Sequence, residues 1–93
     1  MFQGATAFNG DLSKWNVAKV TTMKNLFVWA EAFNGDISDW NVARVTNMDY
    51  MFYGAKNFNG DLSKWNVTPG ASRTSMFELA TAFDQDLSAW PSL

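Results

Sequence analysis

Apolar side chains recur along the chain in two alternating spacings, and the pair of spacings repeats every 25 residues. In DLSKWNV, residues 11–17, Leu12, Trp15 and Val17 are apolar while Ser13, Lys14 and Asn16 are polar. That L-x-x-L-x-L spacing predicts a short strand with its polar residues facing outward. In TNMDYMFYGAKNF, residues 46–58, the apolar Met48, Met51, Phe52, Ala55 and Phe58 fall at i, i+3, i+4, i+7 and i+10, one face of a helix. Thr46 or Asn47 is placed to cap the first turn, since either side chain can accept from a free amide there. Gly54 stands near the end, where a left-handed residue commonly closes the last turn. Asn59-Gly60 then turns the chain into the next strand.

The period does not slip. Trp15, Trp40, Trp65 and Trp90 keep it, as do Phe8, Phe33, Phe58 and Phe83, Asp11, Asp36, Asp61 and Asp86, and Ser13, Ser38, Ser63 and Ser88. A fixed period of about 20–50 residues is the signature of stacked units, and 25 lies within the roughly 20–29 of leucine-rich repeats. The expected fold is therefore α/β, a leucine-rich-repeat-like solenoid of four 25-residue coils, each with a short parallel strand and a short helix. It would span residues 1–93 as one body, with coils at 1–25, 26–50, 51–75 and a partial 76–93. Coils stacked about 4.7–4.9 Å apart would set Trp over Trp and Phe over Phe. The aromatic stripe then reads as packing. A carbohydrate-stacking platform, the alternative, needs Trp at outward positions, and the alternation places it inward.

Both ends depart from the pattern. Met1-Phe2 fall in the columns of Met51-Phe52, in mid-helix, without the V-T-x-M run that should precede them. Pro91 replaces the asparagine of Asn16, Asn41 and Asn66, and proline removes a ladder donor. Gly70 replaces Val20 and Val45, and Arg73 replaces Met23 and Met48. The reading is a fragment of a longer array, since solenoids need polar capping repeats.

Composition narrows the function classes. The chain is 47% hydrophobic and 17% charged with net charge −2, and its eight Phe and five Trp can make a dense small core. A pI near 4.7 and only seven Lys+Arg argue against nucleic acid as a partner. Without cysteine there is no disulfide and no thiolate chemistry. No apolar run approaches the roughly 18 residues of a membrane span, and the first residues show no signal peptide. An active site occurs once and needs a base, a nucleophile or a metal. This chain has no His or Cys, its Ser and Asp recur with the period, and no cofactor is called for.

The polar columns carry the remaining candidate chemistry. Asp11, Asp36, Asp61 and Asp86, about 5 Å apart in such a stack, must have their repulsion offset. Either each carboxylate accepts backbone N–H bonds in its turn, or a cation such as Ca²⁺ binds there, with Asn9, Asn34 and Asn59 adding oxygens. Asn16, Asn41 and Asn66 would form an amide ladder between coils or contact a ligand. Lys14, Asp39 and Lys64 share one charge column, Lys24 and Asp49 another, and Glu31 and Lys56 a third, pairs expected to help set register. The candidate ligand-binding surface is the outward strand face: Ser13, Lys14, Asn16, Ser38, Asp39, Asn41, Ser63, Lys64 and Asn66.

The run MFYGAKNFNGDLSKWNV, at residues 51–67, together with VTNM at residues 45–48, resembles the BspA-like leucine-rich-repeat surface proteins. More narrowly it resembles the branch first described as a domain of unknown function in mycoplasma surface lipoproteins, with the pattern M-F-x-x-A-x-x-F-N-x-D-L-S-x-W-(D/N)-V-x-x-V-T-x-M. Residues 1–68 match almost continuously; Trp29 and Leu79 depart from it, replacing Gly4 and Gly54, as does the segment Pro69–Ser75. The resemblance implies a surface or secreted location and a non-enzymatic protein- or glycan-binding, adhesion-type module, and it carries over no catalytic residue. The other expectation is a structural spacer, or a scaffold that self-associates through open coil edges.

Overall fold

Where the apolar spacing predicts a helix, the backbone instead breaks into consecutive tight turns. The computed structural model describes Gly4 and residues 9–91; Met1, Phe2 and Phe8, assigned above to repeat columns, lie outside the described residues. In residues 23–30, Leu26 N–H donates to Met23 O (3.2 Å) and Ala30 N–H to Phe27 O (3.0 Å), closing two successive four-residue turns. The third residue of each turn is left-handed, Asn25 at φ 63° and Trp29 at φ 59°. The equivalent positions in the next repeats are left-handed as well: Tyr50 and Gly54, then Ser75 and Leu79. A positive φ at that place fits a type II turn and cannot continue a right-handed helix.

The N–H groups left between turn closures reach the next repeat. Met23, Asn25, Phe27 and Trp29 donate to Asn47, Asp49, Met51 and Tyr53 carbonyls at 2.8–3.0 Å. Met48, Tyr50, Phe52 and Gly54 donate in the same way to Ser72, Thr74, Met76 and Glu78 at 2.7–2.9 Å. A helix would satisfy these groups within its own segment. Here alternate amides are bonded to a repeat 24 residues away, as in Met23 to Asn47. The side-chain pattern survives because four-residue turns and helical turns return side chains to one side at nearly the same interval. Met48, Met51, Phe52, Ala55 and Phe58, the predicted helix face, are all fully buried.

The predicted strand is also corrected. Within DLSKWNV the chain turns, Trp15 N–H donating to Leu12 O at 3.1 Å, and the same bond recurs at Trp40, Trp65 and Trp90. The strand-like pairing among the described residues consists of isolated parallel bridges, Thr22 to Asn47 and Asn47 to Ser72. They fall in the columns expected to cap a helix. The α/β solenoid of strands and helices is therefore not what forms: the described residues contain no helix and, beyond those bridges, no strand. They make a compact body of 32 × 25 × 19 Å with a radius of gyration of 11.9 Å.

Aromatic stacking holds this body together. Phe27, Phe52 and Phe77 lie ring over ring with centroids 5.4 Å apart. Phe33, Phe58 and Phe83 form a second row at 5.8 and 6.0 Å, and the rows touch at 4.0–4.3 Å. Trp40, Trp65 and Trp90 stack at 6.4 and 6.1 Å. A buried indole N–H needs an acceptor. Trp40, Trp65 and Trp90 each donate theirs to a carbonyl of the preceding repeat, on Leu12, Ile37 and Leu62, at 2.9 Å. Each side chain so buried stabilises the fold by roughly 1.5–3 kcal/mol.

Candidate functional site

The polar columns are largely occupied with building turns. Asp11, Asp36, Asp61 and Asp86 each accept the backbone N–H two residues on, from Ser13, Ser38, Ser63 and Ser88, at 2.9–3.0 Å. The serine hydroxyl and then the serine amide hold the Asp11 and Asp36 carboxyls below their ordinary value, with Asp11 opposing the effect weakly at Asp36. At Asp61 and Asp86 the amide contributes most and the hydroxyl next. Of the two readings of this column, the turn-forming one is what the geometry displays.

The oxygens that a cation would need from asparagine are engaged too. Asn9, Asn34 and Asn59 accept the backbone N–H of Asn34, Asn59 and Asp84 in the next repeat at 2.8–2.9 Å. Among the described residues no group of three or more acidic side chains is placed to hold a metal ion. The interrepeat asparagine ladder thus exists, but in this column. Asn16 and Asn41, where it was expected, accept locally from Ala18 and Ala43 N–H at 3.1 Å.

The predicted strand face is correspondingly a face of turns. Lys14, Asn16, Asp39, Asn41, Ser63, Lys64 and Asn66 are exposed, and Ser13 and Ser38 are half-buried. Ser38 Oγ donates to Asp36 at 2.7 Å. Of the expected charge pairs, Lys56 and Glu31 meet at 3.1 Å, the one ion pair among the described residues. Asp49 instead accepts from the Ser72 hydroxyl and, at 2.8 Å, from Thr74 N–H. These two donors, followed by a weaker pull from Lys24, depress its pKa.

A different surface stands out once side chains are placed. Trp29 occupies a left-handed turn position, donates its N–H to Tyr53 O at 2.8 Å, and leaves 38% of itself exposed. Its ring meets Tyr53 edge to face, centroids 5.3 Å apart at 90°. Tyr53 in turn meets Tyr50 at 5.6 Å and 63°. Tyr50 is likewise left-handed, at φ 57°, and 37% exposed. Gly54 forms the floor: a Cβ built there would lie 2.3 Å from Trp29 Cε3, so the indole rests directly on glycine backbone. Leu79, in the Gly54 column one repeat on, adds an apolar side chain 48% exposed.

This cluster was missed by spacing arguments, which assign aromatics to the interior. A signal was nonetheless available. Trp29 is the one tryptophan of five outside the Trp column, and the two tyrosines of the chain fall within four residues of each other, at 50 and 53. The left-handed columns favour glycine and asparagine, as at Gly4, Gly54 and Asn25; Trp29, Tyr50, Ser75 and Leu79 depart from that preference, and the first two are aromatic.

Fold and site together define a protein built from turns in a 25-residue register, with Trp29 and Tyr50 exposed and with Trp15, predicted to face inward with the other tryptophans of its column, exposed as well. The chain belongs to the family described as "Mycoplasma protein of unknown function, DUF285", which matches over residues 1–91. No curated protein and no solved structure matches the chain. Among the described residues no helix is long and apolar enough to cross a membrane.

Proposed function

We propose that this is a non-enzymatic binding module of a surface or secreted protein, taking a glycan or protein partner on the surface that carries Trp29, Tyr50 and Tyr53. The observation that carries the reading is that Trp29 and Tyr50 are exposed aromatics on strained, left-handed backbone. Such a position costs about 1–2 kcal/mol for a residue other than glycine. Strain of this kind concentrates at functional sites, and aromatic side chains dominate recognition surfaces. A glycan is the partner tested, since exposed aromatic side chains offer apolar surface to the C–H side of a sugar. The motif's resemblance to BspA-like surface proteins supports the location. Absence of catalysis is supported by the recurrence of Asp11, Asp36, Asp61 and Asp86 in one column and by the use of those four carboxylates in turns.

The test uses substitutions that other repeats already carry. Trp29→Gly restores the residue of Gly4 and Gly54, and Tyr50→Asn that of Asn25. On a glycan microarray the native protein is expected to bind a defined set of sugars and the double variant to lose at least about tenfold in affinity. Equal binding by both proteins would remove the aromatic cluster from the reading.

A further inference from the structure

The chain reads Phe-Asn-Gly-Asp at residues 8–11, 33–36 and 58–61, and the asparagines of these steps form the ladder between repeats. An asparagine side chain followed by glycine is open to attack by the glycine's amide nitrogen, because no side chain shields that nitrogen. Gly35 and Gly60 N–H have no hydrogen-bond partner among the described residues, so neither nitrogen is engaged in the fold. Asn34 and Asn59 are exposed, which lets ammonia leave and water enter. Glycine also suits the packing, since a Cβ at Gly35 or Gly60 would lie 2.8 Å from the ring of Phe33 or Phe58. The other asparagine column differs. Asn16, Asn41 and Asn66 each precede a valine, whose branched side chain crowds the nitrogen.

We propose that Asn34 and Asn59 are sites of spontaneous deamidation, and that the ladder sets their order. Gly35 N bonds to Asn34 Cγ, the Cγ–Nδ2 bond breaks, and Nδ2 leaves as ammonia with the proton from Gly35 N. Water then opens the cyclic imide. Opening at Cγ gives aspartate, and opening at the main-chain carbonyl gives isoaspartate, with an extra methylene in the backbone. Asn59 and Gly60 react in the same way. To cyclise, each side chain must release the next repeat. Asn34 Oδ1 accepts from Asn59 N–H at 2.9 Å. Asn59 Oδ1 accepts from both Asp84 N–H at 2.8 Å and Gln85 Nε2 at 3.0 Å, and Gln85 Nε2 also donates to Asn59 O at 3.0 Å. Gln85 thus clamps Asn59, whereas Gly60 stands in its column beside Asn34 and has no side chain to do so. Aspartate fits the ladder, because a carboxylate still accepts an N–H, and Asp84 already occupies that column in the last repeat. Isoaspartate does not, since its longer backbone shifts the turn that follows. The inference stands apart from the Trp29 surface, so either can fail alone.

Phe-Asn-Gly-Asp is identical at the two sites, so their intrinsic rates match and any difference comes from the fold. The full chain is held in mildly alkaline buffer, which favours the deprotonated nitrogen, both natively and in urea. Peptide mapping by mass spectrometry follows aspartate and isoaspartate at each asparagine. Both sites are expected to convert in the folded protein, Asn34 at least about threefold faster than Asn59, the effect of one further hydrogen bond. In urea the two rates should coincide. Gln85→Ala should bring Asn59 up to the rate of Asn34 and leave Asn34 unchanged. A native Asn34 that stays intact while the unfolded chain converts would overturn the proposal. So would equal native rates at the two sites, or an Asn59 rate unmoved by Gln85→Ala. The native ratio tests the order by itself, whatever the stability of the variant.

Discussion

Two tryptophans show how position decides what a side chain is worth. Trp65 is 4% exposed, stacked between Trp40 and Trp90, with its indole N–H on Ile37 O at 2.9 Å. Trp29 rests on Gly54, touches Tyr53 at its edge and faces solvent on a left-handed backbone. Trp65→Ala is expected to cost about 3–5 kcal/mol, the usual loss for emptying an aromatic site. Trp29→Gly relieves about 1–2 kcal/mol of backbone strain. It gives back about 0.5–1.5 in the ring pair and about 0.5–1 in chain entropy. By these terms its net effect should lie between a gain of about 1 and a loss of about 1.5 kcal/mol. Urea unfolding of the two variants checks both figures. A Trp29→Gly loss as large as that of Trp65→Ala would mean that the exposed indole is a structural residue.

At the level of elements, the unit of this fold is the tight turn bonded to its counterpart in the next repeat. The two asparagine columns divide that work. Asn34 accepts from Asn59 N–H across repeats at 2.9 Å, whereas Asn41 accepts from Ala43 N–H within its own turn at 3.1 Å. Asn34→Ala should therefore speed amide exchange at Asn59, and Asn41→Ala at Ala43. Each should cost about 0.5–1.5 kcal/mol, because water replaces much of a hydrogen bond lost at an exposed place. Exchange rates measured residue by residue decide this. Acceleration confined to the local turn in Asn34→Ala would contradict the bond between repeats.

Over the whole molecule, the carboxylates act together. Asp11, Asp36, Asp49, Asp61 and Asp86 all titrate below the ordinary value because N–H and O–H donors favour the charged form. A depressed folded pKa contributes stability that is present above the unfolded pKa of about 3.9 and is lost as pH falls through the folded value. Melting temperature should thus be nearly constant from neutral pH down to about 5 and decline below about 4. Thermal melts across that range test it, and a melting temperature that rose on acidification would show that repulsion within the Asp column outweighs its turn bonds. The aromatic rows are indifferent to pH, so the decline should be gradual.

The sequence by itself determined the register. The 25-residue period and the Trp and Phe columns were legible from which residues recur at one interval, and the Glu31–Lys56 pair from opposite charges one period apart. Choosing turns over helix and strand was not legible, since buried positions at i, i+3 and i+4 suit either a helix or consecutive four-residue turns. Left-handed Asn25, Trp29, Tyr50, Ser75 and Leu79, and amides bonded 24 residues ahead, made that choice. Both asparagine columns look alike in one dimension, and only the proximity of Asn59 N–H to Asn34 separates their roles. Trp29 was visible as a departure from glycine, yet its exposure was set by what lies beneath it. A local pattern reports which side chains avoid water, whereas the partner of each backbone amide depends on where the rest of the chain has gone.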